Sequence, residues 1–161
     1  MNAAYRRLHT RVRAVALVGG SALCVAVLVA SPARANADGD LLIKLGVVGA
    51  WAQDCSKPAG EDNARLVYRA PADGPPTEQL IYTAESSRPG TVLRDVKVAS
   101  PGKVQWQQTD GAITFVIVNL LEKTRLKTWS SIDTTGKVYI RDGAYALSSG
   151  SAPWFNKCGA N

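Results

Sequence analysis

Two thiols, Cys55 and Cys158, are the most pointed chemistry in the chain once its N-terminal segment is set aside. The third cysteine, Cys24, lies inside an apolar run near the start. Two thiols with no histidine beside them are a poor metal set. In an oxidising compartment such an isolated pair favours a disulfide. The bond would close a loop of 103 residues, which chain entropy rates at about 4–5 kcal/mol before any strain. Histidine informs by its absence. His9 is the only one, and it stands in the N-terminal segment. The remainder holds no Ser-His-Asp or Cys-His triad and no imidazole ligand. It also lacks the side chain most used for proton transfer near neutral pH. Asp54, Asp95, Asp110, Asp133 and Asp142 could supply a carboxylate pair for glycoside chemistry. Most of them stand at turns, where Asp is ordinary, and no spacing singles out a pair. We therefore expect no enzymatic activity, no cofactor and no metal.

Binding chemistry has more to work with. Tyr68, Tyr82, Trp106 and Trp129 lie on strand-like runs. Aromatic walls with a few polar groups are what ligand cavities use, although the same residues also fill the core of a small barrel. Trp106 and Gln108 share a face, and an inward Gln needs a partner. Tyr68, Tyr82, Trp106 and Gln108 are thus the candidate ligand-binding set. Arg65, Arg69, Arg94, Lys97, Arg125 and Lys127 also lie on strand-like runs. Facing inward they could hold an anion; facing outward they would alternate with core residues such as Leu66 and Leu126. Pro153-Trp154-Phe155 is either an exposed contact site or a plug on the barrel end, pinned by Cys158.

The N-terminal third carries an address. Arg6, Arg7, Arg11 and Arg13 form a positive start, and residues 14–30 follow without a charge. Ala33 and Ala35 occupy the small-residue positions of an A-x-A cleavage site, so a cut after Ala35 is expected. A retained anchor is the alternative, but the run is short for a bilayer and contains Gly19, Gly20 and Ser21. Residues 1–35 then read as a signal peptide and 36–161 as one domain, periplasmic or secreted. Five of the 19 Lys and Arg precede the cut and none of the 13 Asp and Glu does, leaving 14 cations against 13 anions. The basic balance belongs to the leader. Nothing in the remainder calls for nucleic acid, or for a membrane after cleavage. A monomer is expected.

The elements that must position these side chains are strands. Turn signals recur every 8 to 12 residues, the rhythm of an all-β domain. The runs are 49–54, 64–69, 78–84, 91–99, 103–108, 113–120, 124–133 and 137–141. Asp110-Gly111 suggests a type I′ hairpin, which needs positive φ at both central positions. The sixth run is apolar on both faces at several positions, so a cover on its outer side is expected. Residues 41–48 fit either a helix or a strand. Eight short-linked strands predict an antiparallel up-and-down barrel, with an open sandwich as the alternative. In a closed meander the first and last strands are neighbours. A Cys55–Cys158 bond would tie them where the barrel closes.

Gly49-Ala50-Trp51 on the first strand and Arg141 on the eighth resemble the lipocalin and avidin-like barrels. In those families a Gly-x-Trp opens the first strand and a cation from the last strand packs across the Trp. The resemblance implies that Gly49, Trp51 and Arg141 close one end of the barrel structurally. The chain also resembles small exported bacterial proteins with W-A-x-D-C-S-x-P and P-W-F-x-K-C segments, matched here by Trp51 to Pro58 and Pro153 to Cys158. The functional expectation is a barrel holding a small apolar or amphipathic ligand. The alternative is an envelope interaction or inhibitor module that meets another protein through its loops.

Overall fold

The computed structural model describes residues 33–83 and 90–159. The arginine-rich start and apolar run of the expected leader lie outside the described residues. Helix α1 (Ala33–Lys44) comes first, with Ala33-Arg34-Ala35 in its opening turn. It resolves the ambiguity of residues 41–48. The helix ends where Gly46 turns to φ +72°, with Val47 N–H on the Leu42 carbonyl and Gly46 N–H on that of Ile43. This is the Schellman ending, and it carries its usual apolar contact, here between buried Leu42 and Val47.

Seven strands follow in antiparallel succession: β1 (Gly49–Ala52), β2 (Arg65–Arg69), β3 (Thr77–Ile81), β4 (Thr91–Ser100), β5 (Lys103–Asp110), β6 (Ile113–Glu122) and β7 (Arg125–Asp133). After them come β8 (Val138–Arg141), β9 (Ala144–Tyr145) and β10 (Phe155–Lys157). The barrel closes with eight strands, as the turn rhythm predicts, but the eighth is β10. It pairs with β1 through Trp51↔Lys157 and Ala52↔Asn156, and with β7 through Phe155↔Leu126 and Asn156↔Arg125. The 137–141 run, expected to close the ring, instead pairs with the far part of β7 through Ser131↔Ile140 and Ile132↔Val138. One long strand thus serves two short partners. A three-residue strand carries too little period-2 signal to be read in advance.

The bonded sulfurs of Cys55 and Cys158 clasp this seam. Cys158 N–H bonds the Ala50 carbonyl at 2.8 Å. Buried Asn63 latches the loop that brings Cys55 back: its Oδ1 accepts from Asp54 N–H at 3.0 Å, and its Nδ2 reaches the Asp54 and Pro58 carbonyls.

One turn differs from expectation in its type. In the β5–β6 hairpin Asp110 pairs with Ile113, so the central residues are Gly111 and Ala112. Only Gly111 has positive φ (+58°), which matches the Gly-first type II′ pattern rather than I′. Asp142 (+51°) and Gly143 (+74°) are both positive between β8 and β9, so the I′ signature belongs there. Bulges set the faces. On β4, Asp95 at φ +52° lets both Leu93 and Val96 point inward. The freed Val96 N–H bonds Asp38 Oδ1 of α1 at 3.0 Å. On β7 the register slips between the pairs Val118↔Ser130 and Asn119↔Thr128, making Trp129 the extra residue. Lys103 lies 4.0 Å over that ring, a stacked pair beside β6, the strand expected to need an outer cover.

Candidate functional site

The barrel has a filled end and a hollow end. The filled end is built from α1 and the inward positions of the strands: Leu42, Val47, Trp51, Leu93, Val104, Trp106 and Leu126 are all buried. Trp51 Nε1 donates to the Val47 carbonyl at 2.8 Å. The cation over Trp51 is Lys157, with Nζ 5.5 Å from the ring centroid and donating to the Gly46 carbonyl. Gly49 lies beneath this crossing at φ +131°, a backbone angle that favours glycine, and a Cβ there would touch the Lys157 stem at an ordinary contact distance of 3.4 Å. Arg141, expected over Trp51, is exposed at the end of β8 and pairs with Ala144. The correction follows from topology: the neighbour of β1 is β10, so the sealing cation comes from β10.

Beyond this floor lies a cavity of about 320 Å³. Leu66, Leu80, Ile117, Ile140 and Phe155 provide its apolar wall. Its polar groups include Gln53, Tyr68, Glu78, Gln108, Asn119, Thr128 and Ser131. Tyr82 and Tyr145, each about two-fifths exposed, also line it, as do Ala152 and Pro153 from the segment joining β9 to β10. Of Pro153-Trp154-Phe155, the first and third residues face the cavity, while Trp154 packs under Arg125 at 4.6 Å.

Three of the four candidate ligand residues, Tyr68, Tyr82 and Gln108, line this space. Trp106 stands one layer behind. It meets Tyr68 edge-on at 5.5 Å and donates from Nε1 to Gln108 Oε1 at 3.2 Å. The inward Gln thus has its partner and holds a fixed orientation. Trp129 is moved off the cavity by the β7 bulge, and none of the six strand cations named above lines it. A wider cleft of about 480 Å³ lies beside the disulfide, but small residues and backbone form most of its wall: Val48, Gly49, Ala50, Cys55, Cys158 and Gly159, with Arg65 and Lys157.

Two cavity groups were missed by the sequence reading. Glu78 sits directly across from Tyr68 in the β2–β3 register. The residue is partly buried and lines the cavity. Burial pushes its pKa up to about 7, with the neighbouring Tyr68 hydroxyl opposing the rise. The same burial raises the Tyr68 phenol well above its usual range. Asn119 is 2% exposed, and its Nδ2 has no hydrogen-bond partner. Its Oδ1 accepts from Thr128 Oγ1 at 3.2 Å. Turning the amide over would only exchange which of its two polar atoms is unpaired. The available signal was period 2. Glu78 has the parity of Tyr82, and Asn119 that of Ile117.

The arrangement offers an apolar body site with one carboxyl and several neutral polar groups, the pattern of a binding cavity. Among the described residues no cluster of three or more His, Cys, Asp or Glu could hold a metal ion. Comparison with family models, curated proteins and solved structures finds no match for this chain.

Proposed function

We propose that this protein is an exported binding module whose barrel interior holds a small amphipathic molecule. The observation that carries the reading is the cavity itself, about 320 Å³ walled by Leu66, Leu80, Ile117 and Phe155 with Tyr68, Glu78 and Gln108 among its polar groups. Export is supported by the disulfide and by the signal-like N-terminus. No helix among the described residues is long and apolar enough to cross a membrane. The Gly49-x-Trp51 likeness to lipocalin and avidin-like barrels points the same way. Native mass spectrometry of protein purified from its own cells without refolding tests the proposal. The expected result is an adduct small enough for the cavity. A bare mass, together with no binding of a neutral aryl alcohol such as 4-phenylbutanol, overturns it.

A second reading, an interaction module working through loops, rests on Leu147. This residue is 82% exposed in the segment after β9. Pull-down from envelope extract with wild type and Leu147→Ser separates the two readings. A partner lost in the variant favours the loop.

A further inference from the structure

The charge of the ligand can be read from the cavity wall. Glu78 is the one carboxyl among the lining residues, and no Lys or Arg of the described residues lines the space. The other titratable groups facing it are phenols: Tyr68 from β2, Tyr82 just beyond β3, and Tyr145 from β9. No described Lys or Arg forms an ion pair with Glu78; the ion pairs among described residues lie elsewhere, at Asp54–Lys57 and Glu122–Arg125. The wall shared with it combines aliphatic and aromatic side chains with neutral polar ones. The carboxyl has no counter-charge among the described lining residues, and aromatic faces attract cations.

We infer that the cavity takes an organic amine: a cationic nitrogen set at Glu78 and a compact apolar body against Leu66, Leu80, Ile117 and Phe155. This rests on the binding-module reading above and names the ligand class for it. The volume corresponds to about ten waters at ~30 Å³ each, which suits a single ring with a short chain and excludes long acyl chains. A carboxylate of equal size is disfavoured, because it would meet Glu78 with no Lys or Arg among the described lining residues to receive it. The Glu78 proton is held loosely enough near neutral pH for an arriving ammonium to displace it to buffer. No covalent step is involved.

The test uses three probes of one shape: 4-phenylbutylamine, 4-phenylbutanol and 4-phenylbutyrate. Each is titrated calorimetrically into the purified protein and into Glu78→Gln at pH 7.5. The amine is expected to bind wild type best and to lose at least tenfold in Glu78→Gln. The alcohol should bind both proteins alike, and the acid should bind wild type least. A second readout needs no variant. At pH 6.5, in buffers of different ionisation heat, amine binding to wild type should release a proton and alcohol binding should not. Equal amine affinity in the two folded proteins, an acid that matches the amine, or no proton release overturns the amine assignment. If the alcohol still binds, the binding-module reading survives that failure. If none of the three binds, both fall.

Discussion

The two halves of this barrel are made from the same strands and filled in opposite ways. Toward α1, the inward positions are Trp51, Leu93, Val96, Val104, Trp106 and Leu126. The helix adds Leu42, and the link after it adds Val47. Toward the other end, the inward positions of β3, β5, β6 and β7 become Glu78, Gln108, Asn119, Thr128 and Ser131. Polar groups out of water are costly unless bonded, and a domain of this size has little stability to spare. The packed half can offset what the hollow half costs. Tyr68 and Trp106 form the boundary, their edge-on contact separating the core from the cavity. The comparison teaches a division of labour along each strand, with fold-holding residues at one end and selectivity at the other.

The strongest challenge to this division is a matched pair of truncations. Trp51 is fully buried in the packed half, and Trp51→Ala should cost about 3–5 kcal/mol. Leu80 faces a space that is already open, so Leu80→Ala should cost only about 1 kcal/mol, the lower end for burying aliphatic surface. Urea midpoints of the two variants, read with a common slope, measure both. Equal losses would mean that the upper half is as tightly filled as the lower.

Charge sharpens the comparison next. The Glu78 carboxyl keeps its proton in the folded state up to about 7, against an ordinary value of 4.5. Below pH 4.5 both states are protonated and the group costs nothing. As pH rises toward 7 the unfolded chain ionises freely while the folded one resists, so stability falls. The loss levels off above 7, at no more than about 3 kcal/mol. Asp54 and Asp133 act in the other direction. Hydrogen bonds, from Ser56 and Thr135 first, hold their carboxyls low, so their contribution is present above 3.8 and is lost only in stronger acid. The window from pH 5 to 8 therefore isolates Glu78. Glu78→Gln should flatten the fall of the melting temperature across it, and a slope equal to wild type would place the carboxyl in water.

Much of this plan was legible in the chain. Turn chemistry and alternation place the first seven strands within a few residues, because each is long enough to show its period. The closing strand was not legible. Phe155–Lys157 has three residues, and its place depends on which edge of β7 remains unpaired below β8. The helix was hidden because Leu42 is its one fully buried apolar side chain, and the next one, Val47, lies beyond the Schellman turn that ends it and so off the helical spacing. Trp129 misled for a related reason: a bulge shifts parity by one residue, and β7 carries no proline or glycine to announce it. In the cavity the aromatic residues drew attention, whereas Glu78 and Asn119 have the polarity of surface residues. Their one mark was parity with Tyr82 and Ile117, and the register sets Glu78 against Tyr68 and Asn119 against Thr128.

The smallest effect tests how the packed end is sealed. Lys157 crosses Trp51 and bonds the Gly46 carbonyl, whereas Arg141 is exposed on a strand outside the closed ring. Lys157→Met retains an apolar stem over the ring and removes only the ammonium. It should cost about 1 kcal/mol, the sum expected from a cation–π contact and one charged hydrogen bond at a partly exposed site. Arg141→Met should stay within about 0.5 kcal/mol of wild type. Urea unfolding resolves this difference when both variants are measured beside wild type in one buffer. Raising salt should leave the Lys157 effect largely intact, since its partner is a sheltered carbonyl rather than a surface carboxylate. A larger loss at Arg141 than at Lys157 would transfer the sealing role from β10 to β8.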